Sequence, residues 1–498
     1  MTLLRPPLAL LAGLLMPLGF APFSQAWAPV VGLALIFSLL TPPRVSPGRV
    51  LLLGYLFGLG FAGFGVYWIH HSIANYGGGP LAAGIAIGVL VALFALIPML
   101  ALLLGWWAGR HYRAMALLVV FPAAWVLVEW VRSWLFTGAT WLSLGYTQVD
   151  TPLAAYAPVL GVYGLSAAVA LLAGALAWWG RRPLSLRVLA PTGMAVVLGA
   201  GAIGLDRPWS EPTADPLTVA MIQGSIPQSR KWDPAESGAI LAEYEVLTRD
   251  AFGADLIVWP ETAVPAVYHQ ARPWLEDLAA DARAAGSDLV LGTPAADPVG
   301  NGLFNAVAVP GDTTQFYYKR HLVPFGEYVP FRDLAGSLLN FVGTPLGDFS
   351  AGVSAEPLNA AGHPVGVSIC YEITFGRLVA DSLPEAAILL NVSNDAWFGD
   401  TAAPWQHLEM ARMRALETAR PLVRATNTGV SALIDPQGRV TLSGPLFQQV
   451  ILEGEVQPHT GLTPYLRWRD WPMAGVSGLV VLGMGLFARR RYQLFREV

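Results

Sequence analysis

Three side chains of complementary chemistry stand at the ends of predicted strands in the second half of this chain. Cys370, the only cysteine in 498 residues, follows the alternating apolar run Val365, Val367 and Ile369 in VGVSICYEITF. Glu261 follows the strand signal LIVWP, and Lys319 follows QFYY. A free thiol, with a pKa of about 8.5, is only slightly ionised at neutral pH. A carboxylate beside it can take its proton. An ammonium can favour the thiolate and then hold the oxyanion of a tetrahedral intermediate. Glu, Lys and Cys are therefore a coherent set for acyl transfer through a thioester. Each also has an ordinary structural reading: Cys370 as a small buried hydrophobe, Glu261 as a turn cap, Lys319 as a solvated hairpin end. Spacing alone does not bring the three together.

The elements that must position them read as follows. Strands are predicted at Leu217 to Gln223, Leu256 to Trp259 and Asp288 to Gly292, with a hairpin of Phe304 to Val309 and Gln315 to Tyr318 around Pro310-Gly311. Further strands are expected at the Cys370 run, Ala387 to Val392, Leu422 to Thr426, Val430 to Ile434 and Val450 to Val456. Helices are predicted from the Asp233-Pro234 cap to Asp250, from Arg272 to Ala285, from about Phe375, and from Pro404 to Ala419. Lys319 to Leu334 reads as a long loop. Alternating strands and helices followed by hairpins give an α/β layered domain with mixed sheets. In such folds functional groups collect at the carboxyl ends of strands.

The first two-fifths of the chain is of another kind. Hydrophobic residues make up 54% of the sequence and charged residues 13%, about half the roughly 25% usual in globular proteins. Up to about Gly204 it is nearly all Leu, Ala, Val, Gly and Trp. A membrane span needs about 20 mainly apolar residues. Candidate spans are Leu8 to Phe23, Trp27 to Leu40, Val50 to Ile73, Leu81 to Gly109, Ala114 to Phe136, Ala157 to Trp179, Leu186 to Leu205 and Trp471 to Ala488. Basic residues cluster at Arg5, at Arg44 and Arg49, at Arg110 and Arg113, at Arg181, Arg182 and Arg187, and at Arg489 to Arg491. All these clusters fall on one side of the membrane, which the positive-inside rule makes cytoplasmic. Three parts follow: seven spans over residues 1–205, an outer domain over 206–470, and an eighth span with a basic tail over 471–498, both termini being inside. Glu129 and Arg132, three apart within a span, read either as a functional pair or as a mutually paired couple near the helix end. The loop Trp141 to Gln148 either docks the outer domain or lines a route for lipids.

A net charge of -4 argues against a general nucleic-acid surface. A lone cysteine excludes an intrachain disulfide and a multi-cysteine zinc site.

VWPE with Glu261, YYKRHLVPFGEYVP with Lys319 and Glu327, and ICYE with Cys370 resemble the nitrilase superfamily. QGSIPQSRKW (Gln223 to Trp232), NVSNDAWFG (Asn391 to Gly399) and the flanking spans resemble its membrane-embedded branch, the apolipoprotein N-acyltransferases. The resemblance implies an αββα sandwich outside an α-helical polytopic membrane domain. It makes Glu261 the general base, Lys319 the oxyanion stabiliser and Cys370 the nucleophile. Glu327 supports Lys319, and Tyr371 and Glu372 belong to the same site. Trp232, Trp397, Phe398, Gly399 and Phe341 are implied as substrate-binding or mouth elements. The implied reaction is ping-pong: an acyl chain passes from a phospholipid, typically phosphatidylethanolamine, to Cys370 and then to the α-amino group of a diacylglyceryl-cysteine on an apolipoprotein. No metal or cofactor is implied, and nothing demands more than a monomer. The implied location is the inner membrane, with the catalytic domain in the periplasm. Apolar residues of the outer domain, Phe325, Leu338, Leu339, Phe341 and Trp397, are expected either at the membrane or acyl-chain cleft or in the core. Two rivals compete. A membrane-tethered amidase would use the same triad with water, but one anchor would then suffice. A transporter would carry ionisable groups at mid-membrane, where these spans have almost none.

Overall fold

The computed structural model describes residues 2–41, 45–76, 78–179, 189–297, 302–328 and 349–494. The chain forms two compact units, one of residues 1–70, 84–207 and 467–498, the other of residues 71–83 and 208–466.

The first unit is helical: α1 (Arg5–Leu15), α2 (Trp27–Leu40), α3 (Pro47–Gly65), most of α5 (Gly79–Phe94), α6 (Leu96–Gly109), α7 (Phe121–Arg132), α8 (Ala157–Trp179), α9 (Leu189–Leu205) and the C-terminal α13 (Trp471–Leu494); α4 (Ile69–Tyr76), between α3 and α5 in the chain, belongs to the second unit from His71 on. Among the described residues, Pro47–Gly65, Gly79–Gly109, Arg113–Arg132 and Pro152–Trp179 are long and apolar enough to cross a membrane. Arg5–Gly19, Trp27–Leu40, Thr192–Leu205 and Trp471–Phe487 are shorter apolar helices. The chain is a multi-pass membrane protein.

The expected span Val50 to Ile73 is interrupted. Its helix stops at Gly65, and α4 begins a separate segment at Ile69. The cause is composition, since His70, His71, Ser72 and Asn75 are too polar to extend an apolar span. Glu129 and Arg132 both reach the loop that follows their helix. Glu129 Oε1 accepts from Trp125 Nε1 at 2.8 Å and from the Leu144 N–H at 3.0 Å. Arg132 donates to the Trp141 carbonyl at 2.8 Å and to Ser143 Oγ at 3.0 Å. The two charges thus pin residues 141–144. Arg44, Arg181, Arg182 and Arg187 lie outside the described residues.

The second unit is a four-layer αββα sandwich. Its strands are β1 (Leu217–Gln223), β2 (Leu256–Val258), β3 (Asp288–Ala296), β4 (Leu303–Val309), β5 (Gln315–Tyr318), β6 (Leu358–Ala360), β7 (His363–Ile369), β8 (Ile388–Ser393), β9 (Leu422–Thr426), β10 (Ala432–Ile434), β11 (Val440–Ser443) and β12 (Val450–Val456). One sheet runs β12-β1-β2-β3-β4-β5, the other β11-β10-β9-β8-β7-β6. Each has a parallel centre, β1-β2-β3 and β7-β8-β9, flanked by antiparallel pairs.

The period-two alternation of each strand assigns its faces. Val219, Met221, Val258 and Val290 meet Val367, Ile369, Leu390 and Val392 between the sheets. Ala220, Ile222, Ile257 and Leu289 turn outward onto Ile240 and Tyr244 of α10 (Ser237–Asp250) and Leu275 and Leu278 of α11 (Tyr268–Ala284). Leu389 and Leu422 turn outward onto Leu408, Ala411 and Ala415 of α12 (Ala403–Thr418). Helix α10 begins four residues after Asp233, because Asp233 Oδ1 caps a turn through the Ala235 N–H instead.

Candidate active site

Glu261 leaves the parallel strand β2 through Trp259-Pro260. Trp259 is fully buried, packed on Tyr244, with Nε1 donating to Thr248 Oγ1 at 2.9 Å. A Cβ at Gly292 would lie 2.7 Å from the Glu261 Cα, so glycine there lets the two chains touch. Lys319 follows β5, and its N–H donates to the Asn305 carbonyl at 2.8 Å. Cys370 follows the parallel strand β7 with φ +50°, a left-handed conformation that L residues seldom adopt unless their surroundings hold it.

Glu372 does much of that holding. Its Oε2 accepts from the Ile369 N–H at 2.7 Å and from the Tyr317 hydroxyl at 3.0 Å. Its Oε1 accepts from the Arg320 and His321 N–H groups at 2.6 and 3.0 Å. One buried carboxylate therefore fastens the end of β5 to the end of β7. Burial pushes the Glu372 carboxyl up, against the main-chain N–H groups of Ile369, His321 and Arg320 and the charge of Lys319, which favour its ionised form.

The charged groups meet beneath the thiol. Lys319 is 1% exposed and its Nζ lies 2.9 Å from Glu327 Oε1 and 3.4 Å from Glu261 Oε1. Burial opposes the Lys319 charge, but the Glu327 and Glu261 carboxylates outweigh it and raise the lysine above its ordinary range. Glu261 Oε2 accepts the Asn394 N–H at 2.8 Å. Glu327 Oε2 accepts the Val323 N–H at 2.8 Å. Burial pushes the Cys370 thiol up, as does the Glu261 charge, while Lys319 and a hydrogen bond with Ser393 pull it down. The resting sulfur is thus a thiol, ionised only when a base takes its proton. Tyr371, next to Cys370 in sequence, is half-buried, and Trp232 is 42% exposed.

Four residues outside the predicted catalytic and supporting set complete the site. Asn305 Nδ2 donates to Glu261 Oε1 at 2.7 Å and to Glu327 Oε1 at 2.9 Å. Asp395 Oδ2 takes Arg424 Nη2 at 2.8 Å, and its Oδ1 faces His407 Nδ1 at 3.1 Å. His407 Nε2 lies 3.1 Å from the Cys370 carbonyl, to which it can only donate. Burial resists the Asp395 charge, yet Arg424 and His407 hold its carboxyl down at about 2. Asn305 sits mid-strand and His407 mid-helix, so no local pattern marks either. Asp395 lies within NVSNDAWFG, where the loop Asp395 to Gly399 reads as a mouth element and not as part of the charged site.

The loop carrying Asp395 continues through Trp397, Phe398 and Gly399 and packs on residues 71–76. Ser72 Oγ donates to the Trp397 carbonyl at 2.7 Å, and the Tyr76 hydroxyl to the Ala396 carbonyl at 3.3 Å. The Tyr76 and Trp397 rings meet edge to face at 4.9 Å. Gly399 has φ +61° with the His71 ring against it. Phe325 is 55% exposed. Phe341, Leu338 and Leu339 lie outside the described residues.

A carboxylate, an ammonium and a thiol in this arrangement can form and resolve a thioester. Known proteins share both halves of the chain. Residues 12–175 match the apolipoprotein N-acyltransferase N-terminal domain, and residues 218–465 match the carbon-nitrogen hydrolase family. A protein of Methylococcus capsulatus named apolipoprotein N-acyltransferase is 46% identical, the alignment covering 97% of this chain and 96% of that one. Proteins of the same name from Pseudomonas syringae and Nitrosomonas europaea are each 41% identical, over 97% and 96% of this chain and 96% of each of theirs. With its helical N-terminal unit, its carbon-nitrogen hydrolase sandwich and full-length relatives at this identity, the chain belongs to the apolipoprotein N-acyltransferase family.

Proposed function

We propose that this chain moves an acyl chain from a phospholipid to the N-terminal amino group of a diacylglyceryl-cysteine on an apolipoprotein, through a thioester on Cys370. The observation that carries the reading is the buried junction of Glu261, Lys319 and Glu327 beside the only thiol of a multi-pass membrane chain.

In the first half-reaction Glu261 takes the Cys370 proton as Sγ attacks the ester carbonyl. The oxyanion is held by Lys319, whose charge Glu327 secures. Collapse breaks the carbon–oxygen bond, and the Glu261 proton passes to the leaving oxygen, giving a lysophospholipid. In the second half-reaction the neutral acceptor amine attacks the thioester, Glu261 takes an amine proton, and the sulfur leaves and is reprotonated. Glu372 and Tyr371 keep the nucleophile turn in place. Trp232, Trp397, Phe398 and Gly399 border the mouth. The reading divides the chain into a seven-span part (1–205), a periplasmic catalytic part (206–470) and an eighth span with a cytoplasmic tail (471–498). Both termini are cytoplasmic in the inner membrane, one copy of the chain suffices, and phosphatidylethanolamine is the donor. Physical economy supports the membrane part. Each CH₂ drawn from lipid into water costs about 0.8 kcal/mol, so long-chain substrates are best met at the bilayer.

Incubating the protein with phosphatidylethanolamine should add one acyl mass to the intact chain. Cys370→Ala should abolish the adduct, and Glu261→Gln should slow its appearance at least tenfold, by roughly 1.4 kcal/mol or more in the barrier. Turnover by Lys319→Ala at the normal rate would refute the oxyanion role.

A further inference from the structure

The segment QGSIPQSRKW brings a second buried lysine to the site, and the chemistry above gives it no task. Lys231 ends the four-residue helix Gln228–Lys231 and is 2% exposed. Its Nζ donates to the main-chain carbonyl of Glu261 at 3.0 Å. The segment is firmly held. The Ser225 and Ile226 N–H groups donate to the Asn427 carbonyl and Oδ1, each at 2.9 Å, and Gln228 Oε1 accepts from Asn394 Nδ2 at 3.0 Å. Arg230, its charged neighbour on the same turn, points away to Glu236 and Glu243.

The charged groups acting on Lys231 are Glu261, from the end of β2, and Cys370, from the end of β7. Lys319 and Glu327 lie beyond Glu261, and Asp395 acts on Cys370 from the loop after β8. Without Lys231, the carboxylates of Glu261 and Glu327 outnumber their ammonium partner by one charge. A buried excess of negative charge raises a thiol and opposes an oxyanion.

We infer that Lys231 is a positioning residue that balances the buried charge of the site and fixes the Glu261 main chain, so that the Cys370 thiolate forms beside two cations rather than one. It touches no substrate and acts through Glu261 and Cys370. Burial pulls Lys231 down to about 8 while Glu261 and Cys370 hold it up. The charge is therefore present at neutral pH and lost as pH climbs through about 8.

The inference rests on Cys370 being the nucleophile, but its test needs no lipid. Cys370 is the only thiol, so alkylation of the full-length protein by iodoacetamide, followed by intact mass, reads that sulfur alone. At about pH 7, Lys231→Met and Lys231→Gln should alkylate about tenfold more slowly than wild type, and Lys231→Arg within about threefold of it. In wild type the rate should rise by less than about tenfold per pH unit around pH 8, because the supporting charge fades as the thiol ionises. In Lys231→Gln it should rise by the full factor of about ten. The Gln variant keeps a donor for the Glu261 carbonyl without the charge. If it alkylates at the wild-type rate with the wild-type pH profile, the inference is overturned, even if the Met variant unfolds. If the alkylation pattern holds but no phospholipid leaves an acyl mass on wild type, the lipid reading fails and this one stands.

Discussion

Asn305 joins the two carboxylates of the site through a single amide nitrogen, and both of those carboxylates hold Lys319. A hydrogen bond to a charged group contributes roughly 1.5–3 kcal/mol. Asn305→Leu should therefore slow acyl-adduct formation about 10- to 100-fold, read by intact mass over time. Glu372→Gln should act differently, because its carboxylate accepts from four donors on two strand ends. An amide turns an N–H₂ toward two of those donors, so the variant should lose both adduct formation and several degrees of melting temperature. At this scale the sequence showed the reactive atoms but not their holders. Cys370, Glu261 and Lys319 announce themselves by type and by strand-end position. Asn305, His407 and Arg424 become site residues only through pairings across 12 to 44 positions of chain, for which no local spacing gives a sign.

The helix α4 and the loop 395–399 form one device at the scale of elements. Three side chains on a short amphipathic helix hold a loop that starts with Asp395 and follows Asn394, whose N–H donates to Glu261. Ser72→Ala and Tyr76→Phe each remove one hydrogen bond to that loop, at a cost of about 0.5–1.5 kcal/mol. Hydrogen exchange of residues 394–399 should quicken by about 2- to 12-fold in each, with protection of β8 unchanged. Gly399→Ala should do more, since its φ is positive and the His71 ring occupies the space. The strand that positions Cys370 was legible because Val365, Val367 and Ile369 alternate, and those before Glu261 and Lys319 because LIV and QFYY are compact apolar or aromatic runs ahead of a turn. The edge strands β6 and β11, with sequences LNA and VTLS, are too short and too mixed to signal themselves. Helix α4 was hidden by the apolar runs on either side of it.

Across the whole molecule, acid should attack the catalytic unit through Asp395. Its carboxyl titrates at about 2 when folded and ordinarily near 3.8, so its contribution is complete above about pH 4 and lost as pH falls toward 2. Asp395→Asn should remove that part of the acid dependence. It should also lower stability by roughly 3–5 kcal/mol, because the buried Arg424 keeps Asn391 and His407 but loses its carboxylate partner, as a melting curve across pH would record. The proposed orientation has its own test. Val353 is 96% exposed, so Val353→Cys in a Cys370→Ala background should react with a membrane-impermeant maleimide from the periplasmic side and not from the cytoplasmic side.

Hydropathy marked the helical unit and the sandwich as different kinds of chain, but it put residues 71–83 with the spans, whereas they pack with the sandwich. That placement bears on any attempt to work with the sandwich alone. Residues 208–466 begin and end close together, where Glu211–Pro212 pairs with His459–Thr460, so they look easy to cut out as a soluble module. The excised piece would keep both sheets, yet it would leave behind Ser72 and Tyr76. Its mouth loop would then have lost its grip, and a water-soluble version should be built with the 71–83 stretch grafted back on.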